Sequence, residues 1–160
     1  MPIKRVVINA SPLITLFASQ QDYLLPELFD EIYVPDVVWN EVVHSGKEDI
    51  AAQQIPSRDW LIRLPATTVD LDIQLWNLGA GESEVMHHTR KLATDRAIVD
   101  DLAARRCCKS LDIRSLGTCG VLVLARRREL ISDLQPAIQK LRDAGLWLSA
   151  RLVASLLDQN

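Results

Sequence analysis

Hydrophobic positions follow two alternating patterns along the chain. Short apolar, β-branched runs at Val6-Val7-Ile8, Ile32-Tyr33-Val34, Leu61-Ile62-Arg63-Leu64, Ala97-Ile98-Val99 and Ile113-Arg114-Ser115 have the length and composition of strands. Between them apolar residues recur at helical spacing, which predicts helices near 12–19, 22–29, 36–44, 48–54, 82–92, 101–110 and 118–129, with two more near 133–144 and 149–158. Strand and helix in alternation imply parallel strands joined by crossovers, with helices on both faces of the sheet. The expected architecture is a three-layer α/β/α arrangement with a central, mainly parallel sheet, and a single domain over 1–160. Gly and Pro are sparse, and no linker, repeat or low-complexity tract interrupts the pattern.

In such sheets ligands collect beyond the carboxyl ends of the strands, so polar residues just after a strand carry the candidate chemistry. Two strands are followed by such residues at once: Val6-Val7-Ile8 runs into Asn9-Ala10-Ser11-Pro12, and Ala97-Ile98-Val99 runs into Asp100-Asp101. One aspartate is expected as the cap of the helix that follows. Capping explains one Asp and leaves the other, and two carboxylates at a sheet mouth repel unless a cation or protons sit between them. Asn-x-Ser-Pro makes a good helix start, with Ser11 as N-cap and Pro12 as first helical residue, which leaves the Asn9 oxygen available to a cation.

Two further acidic positions enter the same argument. Gly79-Ala80-Gly81-Glu82-Ser83-Glu84 places Glu82 and Glu84 at a helix start, where negative charge is favourable in any case. No Gly-Lys-Ser/Thr follows these glycines, so a phosphate-cradling nucleotide loop is not indicated. Glu41 lies four residues from Val37 and three from Val38, so on a helix it shares a flank with apolar side chains and needs a partner, a metal, or a place at the helix edge. His87 and His88 are adjacent and point apart around a helix, which favours ordinary packing over metal ligation. Nothing resembles a Gly-x-Ser-x-Gly elbow, so acyl chemistry has no support.

Composition changes the picture mainly through its distribution. The 160 residues carry 18 Lys plus Arg and 21 Asp plus Glu, a net charge of −3, which taken whole argues against a phosphate-rich partner. Residues 1–89 hold 5 basic and 13 acidic side chains, whereas 90–128 hold 10 basic and 4 acidic. The basic segment contains Arg96, Arg105 and Arg106 and surrounds the Asp100-Asp101 pair, as a phosphate track beside an acidic mouth would; solvated helix faces are the alternative. No apolar run is long enough to cross a bilayer and no leader pattern opens the chain, so no membrane role and a cytoplasmic location are expected. Cys107, Cys108 and Cys119 have neither disulfide nor zinc spacing and are expected as buried free thiols.

Taken together, Val6-Val7-Ile8-Asn9-Ala10-Ser11-Pro12-Leu13, Val34-Pro35-Asp36-Val37-Val38-Trp39-Asn40-Glu41-Val42, Gly81-Glu82-Ser83-Glu84, Val99-Asp100-Asp101-Leu102-Ala103-Ala104-Arg105 and Leu116-Gly117-Thr118-Cys119-Gly120 resemble the PIN-domain superfamily. The likeness is closest to a bacterial subgroup with an Asn-x-Ser-Pro-Leu first motif, related to the VapC-like toxins. The resemblance implies a Mg2+- or Mn2+-dependent ribonuclease, neutralised by a small antitoxin and acting as a homodimer. It places Asn9 where the first Asp of the family usually stands, Glu41 at the helical Glu, Glu82 or Glu84 at the third acidic place and Asp101 or Asp100 at the fourth, with Thr118 as a possible additional ligand. The implied metal donors are Asp101, Asp100, Glu84 and Asn9, and the implied RNA contacts are Arg96, Arg105 and Arg106. Asn9 keeps one oxygen donor but removes a negative charge, which opens a second reading: a degenerate module that binds nucleic acid or a protein partner without cutting. A phosphoryl-acceptor receiver-like domain is a third, disfavoured because no Lys occurs between 110 and 139.

Overall fold

In the computed structural model, residues 2–46 and 49–158 are described. Five strands, β1 (Arg5–Ile8), β2 (Glu31–Pro35), β3 (Leu61–Leu64), β4 (Arg96–Ile98) and β5 (Ser115–Leu116), form one sheet in the order β3-β2-β1-β4-β5. Every neighbouring pair is parallel, as helical crossovers require. The reversal of winding lies at β1: the chain moves outward through β2 and β3, then returns past β1 to β4 and β5. The crevice at such a switch point is where open α/β sheets bind ligands.

The helices are α1 (Ala10–Ala18), α2 (Leu24–Leu28), α3 (Asp36–Val43), α4 (Ile50–Gln54), α5 (Leu71–Gln74), α6 (Ala80–Lys91), α7 (Leu102–Ser110), α8 (Thr118–Arg127), α9 (Leu134–Asp143) and α10 (Ala150–Leu157). Val6, Val7 and Ile8 are fully buried between the helical layers, so β1 reads as a continuous apolar run without alternation. The three-layer architecture expected from the alternation of patterns is the one observed. Cys107 and Cys108 are buried and Cys119 half-buried, and all three are free thiols. Burial pushes the Cys108 thiol up to about 12 and the Cys119 thiol up to about 11, so neither is ionised at neutral pH.

Two boundaries differ from expectation for identifiable reasons. Helix α1 opens at Ala10, with Asn9 at the N-cap position, two residues before the start expected at Ser11-Pro12. Pro12 is tolerated inside the first turn because N–H groups there have no intrahelical acceptor to lose. Strand β5 begins at Ser115 although Ile113 was expected to open it. The Ile113 N–H instead closes α7 by bonding to the Cys108 carbonyl at 2.8 Å, and Asp112 takes a positive φ of 56°, so the chain is still leaving the helix there. The helix expected over 22–29 contracts to Leu24–Leu28, and the short α5 was not anticipated. Glu48, within the helix expected over 48–54, lies outside the described residues.

Candidate active site

The mouth forms around the end of β1. The Asn9 N–H donates to the Ile98 carbonyl at 3.0 Å, which extends the β1–β4 ladder by one bond and fixes Asn9 at the carboxyl edge of the sheet. Its side chain is 5% exposed and does not cap α1, and its Oδ1 is buried without a hydrogen-bond partner. A buried polar oxygen left in this state costs about 1–3 kcal/mol.

Gly81, in the first turn of α6, explains how other oxygens approach. A Cβ at Gly81 would lie 2.9 and 3.0 Å from the two Glu41 carboxylate oxygens and 3.2 Å from Asn9 Oδ1. Only glycine leaves that volume to the oxygens, and its N–H donates to the Glu41 carboxylate. Glu41 projects from α3, and Glu82, one residue beyond Gly81 with its carboxylate folded over Gly79, adds a like charge nearby. Burial first, and the Glu82 charge second, raise the Glu41 pKa above the ordinary carboxylate value, with the Gly81 N–H opposing them. Asn9 and Glu41 therefore come from two different elements to Gly81 in a third, while the Glu82 carboxylate folds back over Gly79 and acts on Glu41 through its charge.

The other side of the mouth is built from β4 and α8. Asp100 accepts from the Thr118 N–H at 2.8 Å and from the Thr118 hydroxyl at 2.6 Å, and Thr118 is completely buried. A carboxylate on one loop thus holds the opening turn of a helix that begins 18 residues later. Asp101 caps its own helix, accepting from the Ala104 N–H at 2.9 Å. Capping of the helix that follows accounts for one Asp of the pair, Asp101, as expected, and the other, Asp100, is taken up by Thr118 at the start of α8. Over Gly117, Asp100 Oδ1 and Arg105 Nη1 stand 3.2 and 3.3 Å from where a Cβ would be, so the guanidinium sits beside the carboxylate.

Glu84 is placed differently from Glu82. Its Oε1 accepts from the Thr67 N–H at 2.9 Å and lies 3.8 Å from His88 Nε2, buried under the segment that leads to α5. Burial lowers the His88 pKa, with the Glu84 charge opposing, and His87 Nδ1 accepts from the Asp70 N–H at 3.3 Å. Both histidines are therefore packed within this polar layer. Within the basic segment, Arg90 is committed to Asp70 and Asp72 at 3.0 and 2.7 Å, and Arg128 donates to the Leu28 carbonyl at 2.7 Å. Arg96 and Arg105 line a cleft that Asp100 also reaches, whereas the exposed Arg106 is not part of its lining.

The donors that meet at Gly81 are hard oxygens, and the partnerless Asn9 Oδ1 beside a carboxylate of raised pKa is the arrangement that a hard divalent cation would relieve. On those grounds the residues fit such an ion. Among the described residues no group of three or more His, Cys, Asp and Glu side chains is gathered for a metal, and what meets at Gly81 is one carboxylate, that of Glu41, and one carboxamide oxygen, that of Asn9. Gly81 and Gly117 were not anticipated as site residues. The visible trace of the first was its position directly before Glu82 at a helix start, and of the second its position directly before Thr118. Among the described residues no helix is long and apolar enough to cross a membrane.

The profile of the PIN domain matches residues 5–160, which takes in every residue named at the mouth. No curated protein matches the sequence. With the parallel sheet, its switch point at β1 and oxygen donors gathered beyond the strand ends, a match over nearly the whole length shows that the chain belongs to the PIN-domain family.

Proposed function

We propose that this chain is a divalent-metal-dependent ribonuclease that hydrolyses RNA phosphodiester bonds, and that it serves as a cytoplasmic, VapC-like toxin held in check by a small antitoxin. PIN domains are in general metal-dependent nucleases, and the observation that carries the reading is the buried, partnerless Asn9 Oδ1 beside Glu41 and Gly81. In this reading Asn9, Glu41 and Glu82 hold the ion, and Asp100 closes the shell from the opposite side. A bound Mg2+ or Mn2+ supplies charge neutralisation at the scissile phosphate and a water of lowered pKa. Asp101 and Glu84, whose oxygens hold the Ala104 and Thr67 N–H groups, brace the loops that carry the donors. Thr118 positions Asp100 through two hydrogen bonds, and Arg105 and Arg96 orient the RNA backbone beside it.

The test is cleavage of single-stranded RNA with Mg2+ or Mn2+, repeated with chelator and with Glu41→Gln, Glu82→Gln and Asp100→Asn. Cleavage is expected with either ion and lost under the other conditions; cleavage that persists through all of them rules the assignment out. Bacterial growth arrest on expression of the wild type, absent for Glu41→Gln, tests the toxin role. Light scattering tests the homodimer that accompanies this reading, and an 18 kDa species alone would remove it.

A second reading rests on a specific observation: Asn9 stands where the family usually has Asp, and a single carboxylate, that of Glu41, meets it at Gly81. In that case the chain is a non-catalytic PIN module that binds nucleic acid or a protein partner. Salt-dependent RNA binding with no turnover under any divalent ion distinguishes it.

A further inference from the structure

Next to the acidic mouth, β5, the start of α7, α8 and the segment around 146–156 enclose a cleft of about 860 Å³. Asp100 lies at one end, Arg96, Arg105 and Arg127 line it, and its apolar lining is largely leucine. Three exposed hydrophobic side chains surround it: Trp147 at 83%, Leu102 at 67% and Leu152 at 43% exposure. Single exposed apolar residues are ordinary, but three around one concavity that also holds arginines mark a binding surface.

The position of Trp147 follows from its local chain. Gly145 takes a φ of 103° at the end of α9, which turns the chain sharply, and the Leu146 N–H returns to the Leu141 carbonyl at 3.0 Å. Leu146 packs against the core and Leu148 is buried, so Trp147 between them is left facing outward with both neighbours anchored. A large aromatic ring on an anchored segment offers a stacking face at low entropic cost.

We propose that this cleft is a nucleobase subsite, which takes one unstacked base of a single-stranded RNA whose neighbouring phosphate lies at the Asp100 end of the mouth. Trp147 is the stacking face, the leucines receive the base edge-on, and Arg105 and Arg96 hold adjoining phosphates. This rests on the ribonuclease reading above. Charge complementarity selects the occupant: Arg96 and Arg105 beside a largely apolar lining suit an anionic chain with flat apolar groups, and the ring and guanidinium combination is how single strands are held without base pairing.

Binding of a dye-labelled oligouridylate is followed by anisotropy in chelator, so that cleavage does not intervene. Trp147→Ala is expected to weaken binding about tenfold or more, and Trp147→Phe to stay close to wild type, because loss of one base–aromatic stack is read directly. Arg105→Ala is expected to weaken binding and flatten its salt dependence. Both positions are exposed, so the variants keep the fold, which circular dichroism confirms. Unchanged affinity for Trp147→Ala overturns the subsite; if the wild type still cleaves RNA, the ribonuclease reading survives that failure. Trp147-dependent binding by a chain that never cleaves supports the subsite and removes the nuclease. Equal Trp147-dependent binding of duplex RNA, or a dimer that dissociates on Trp147→Ala, also overturns it, since the cleft would then read helix shape or cover a second copy.

Discussion

On one side of the mouth Asn9 Oδ1 is buried with no partner, and Glu41 is held against Gly81 with the Glu82 charge nearby. On the other side both oxygens of Asp100 are engaged by Thr118, and Asp101 is engaged by Ala104. The first side carries one buried oxygen, Asn9 Oδ1, whose need the protein does not meet, and the second carries polar atoms that hold two helices in place. Buried unsatisfied groups are destabilising and are retained where a ligand satisfies them. The unsatisfied side is therefore where the proposed ion belongs, and the satisfied side sets the shape of the mouth and presents Asp100 to it.

The largest expected effect comes from removing charge on the unsatisfied side. Glu41→Gln and Glu82→Gln should each lower kcat for RNA cleavage by about 10²–10³, in line with the loss of one group that stabilises developing charge. If Asp100→Asn costs more than either, the division of roles between the two sides is wrong. Next comes Gly81→Ala, whose new methyl group would displace the Glu41 carboxylate, the free end of a flexible side chain, while leaving the backbone in place. Cleavage should fall roughly tenfold to a hundredfold by misplacement of that donor, with the thermal midpoint nearly unchanged. Gly117→Ala meets Asp100 and Arg105 at longer distances and should cost less activity than Gly81→Ala.

Two smaller effects address stability. Thr118→Val removes the hydroxyl from a completely buried site and leaves Asp100 Oδ2 without that donor. It should destabilise by about 1 kcal/mol, seen as a fall of roughly 2–4 °C in Tm. The smallest is the pH dependence at Glu41. Its folded pKa is raised, so the stability associated with this group is fully present below its unfolded value of 4.5 and is lost as pH rises through the raised folded value. In chelator, Glu41→Gln should accordingly be more stable than wild type at neutral pH, and the difference should vanish well below pH 4.5. Solvent screening at this exposed position limits the gain to about 0.5 kcal/mol at most, or roughly 1–2 °C by calorimetry. A wild type more stable than Glu41→Gln at neutral pH in chelator would show that this side is already satisfied.

Much of the mouth was legible from linear pattern. The apolar run Val6-Val7-Ile8 ending in Asn9, and Ala97-Ile98-Val99 ending in Asp100-Asp101, put the polar residues at strand ends before any contact was known. The start of α1 was misread because Ser11-Pro12 has strong local preferences, and these yielded to the bond that ties Asn9 to Ile98 across the sheet. Ile113 has the composition of a strand residue, but the bond to Cys108 that closes α7 took its N–H first. Arg90 and Arg96 look equivalent in a basic run, yet one is locked to Asp70 and Asp72 and the other lines the cleft.

Hydrophobic periodicity and strand-end chemistry are properties of neighbouring residues, so the sequence by itself determined the alternation of strands and helices, the parallel sheet and the set of residues available at its mouth. Which member of each acidic pair serves which purpose depends on groups far away in the chain. The charge of Glu82 rather than of Glu84 acts on Glu41 while the Thr67 N–H claims Glu84, and Asp100 rather than Asp101 reaches across to α8 while the Ala104 N–H claims Asp101. Only the tertiary structure decides such assignments, because a carboxylate goes to the donors that packing brings within hydrogen-bond distance, and sequence spacing does not specify which donors those are.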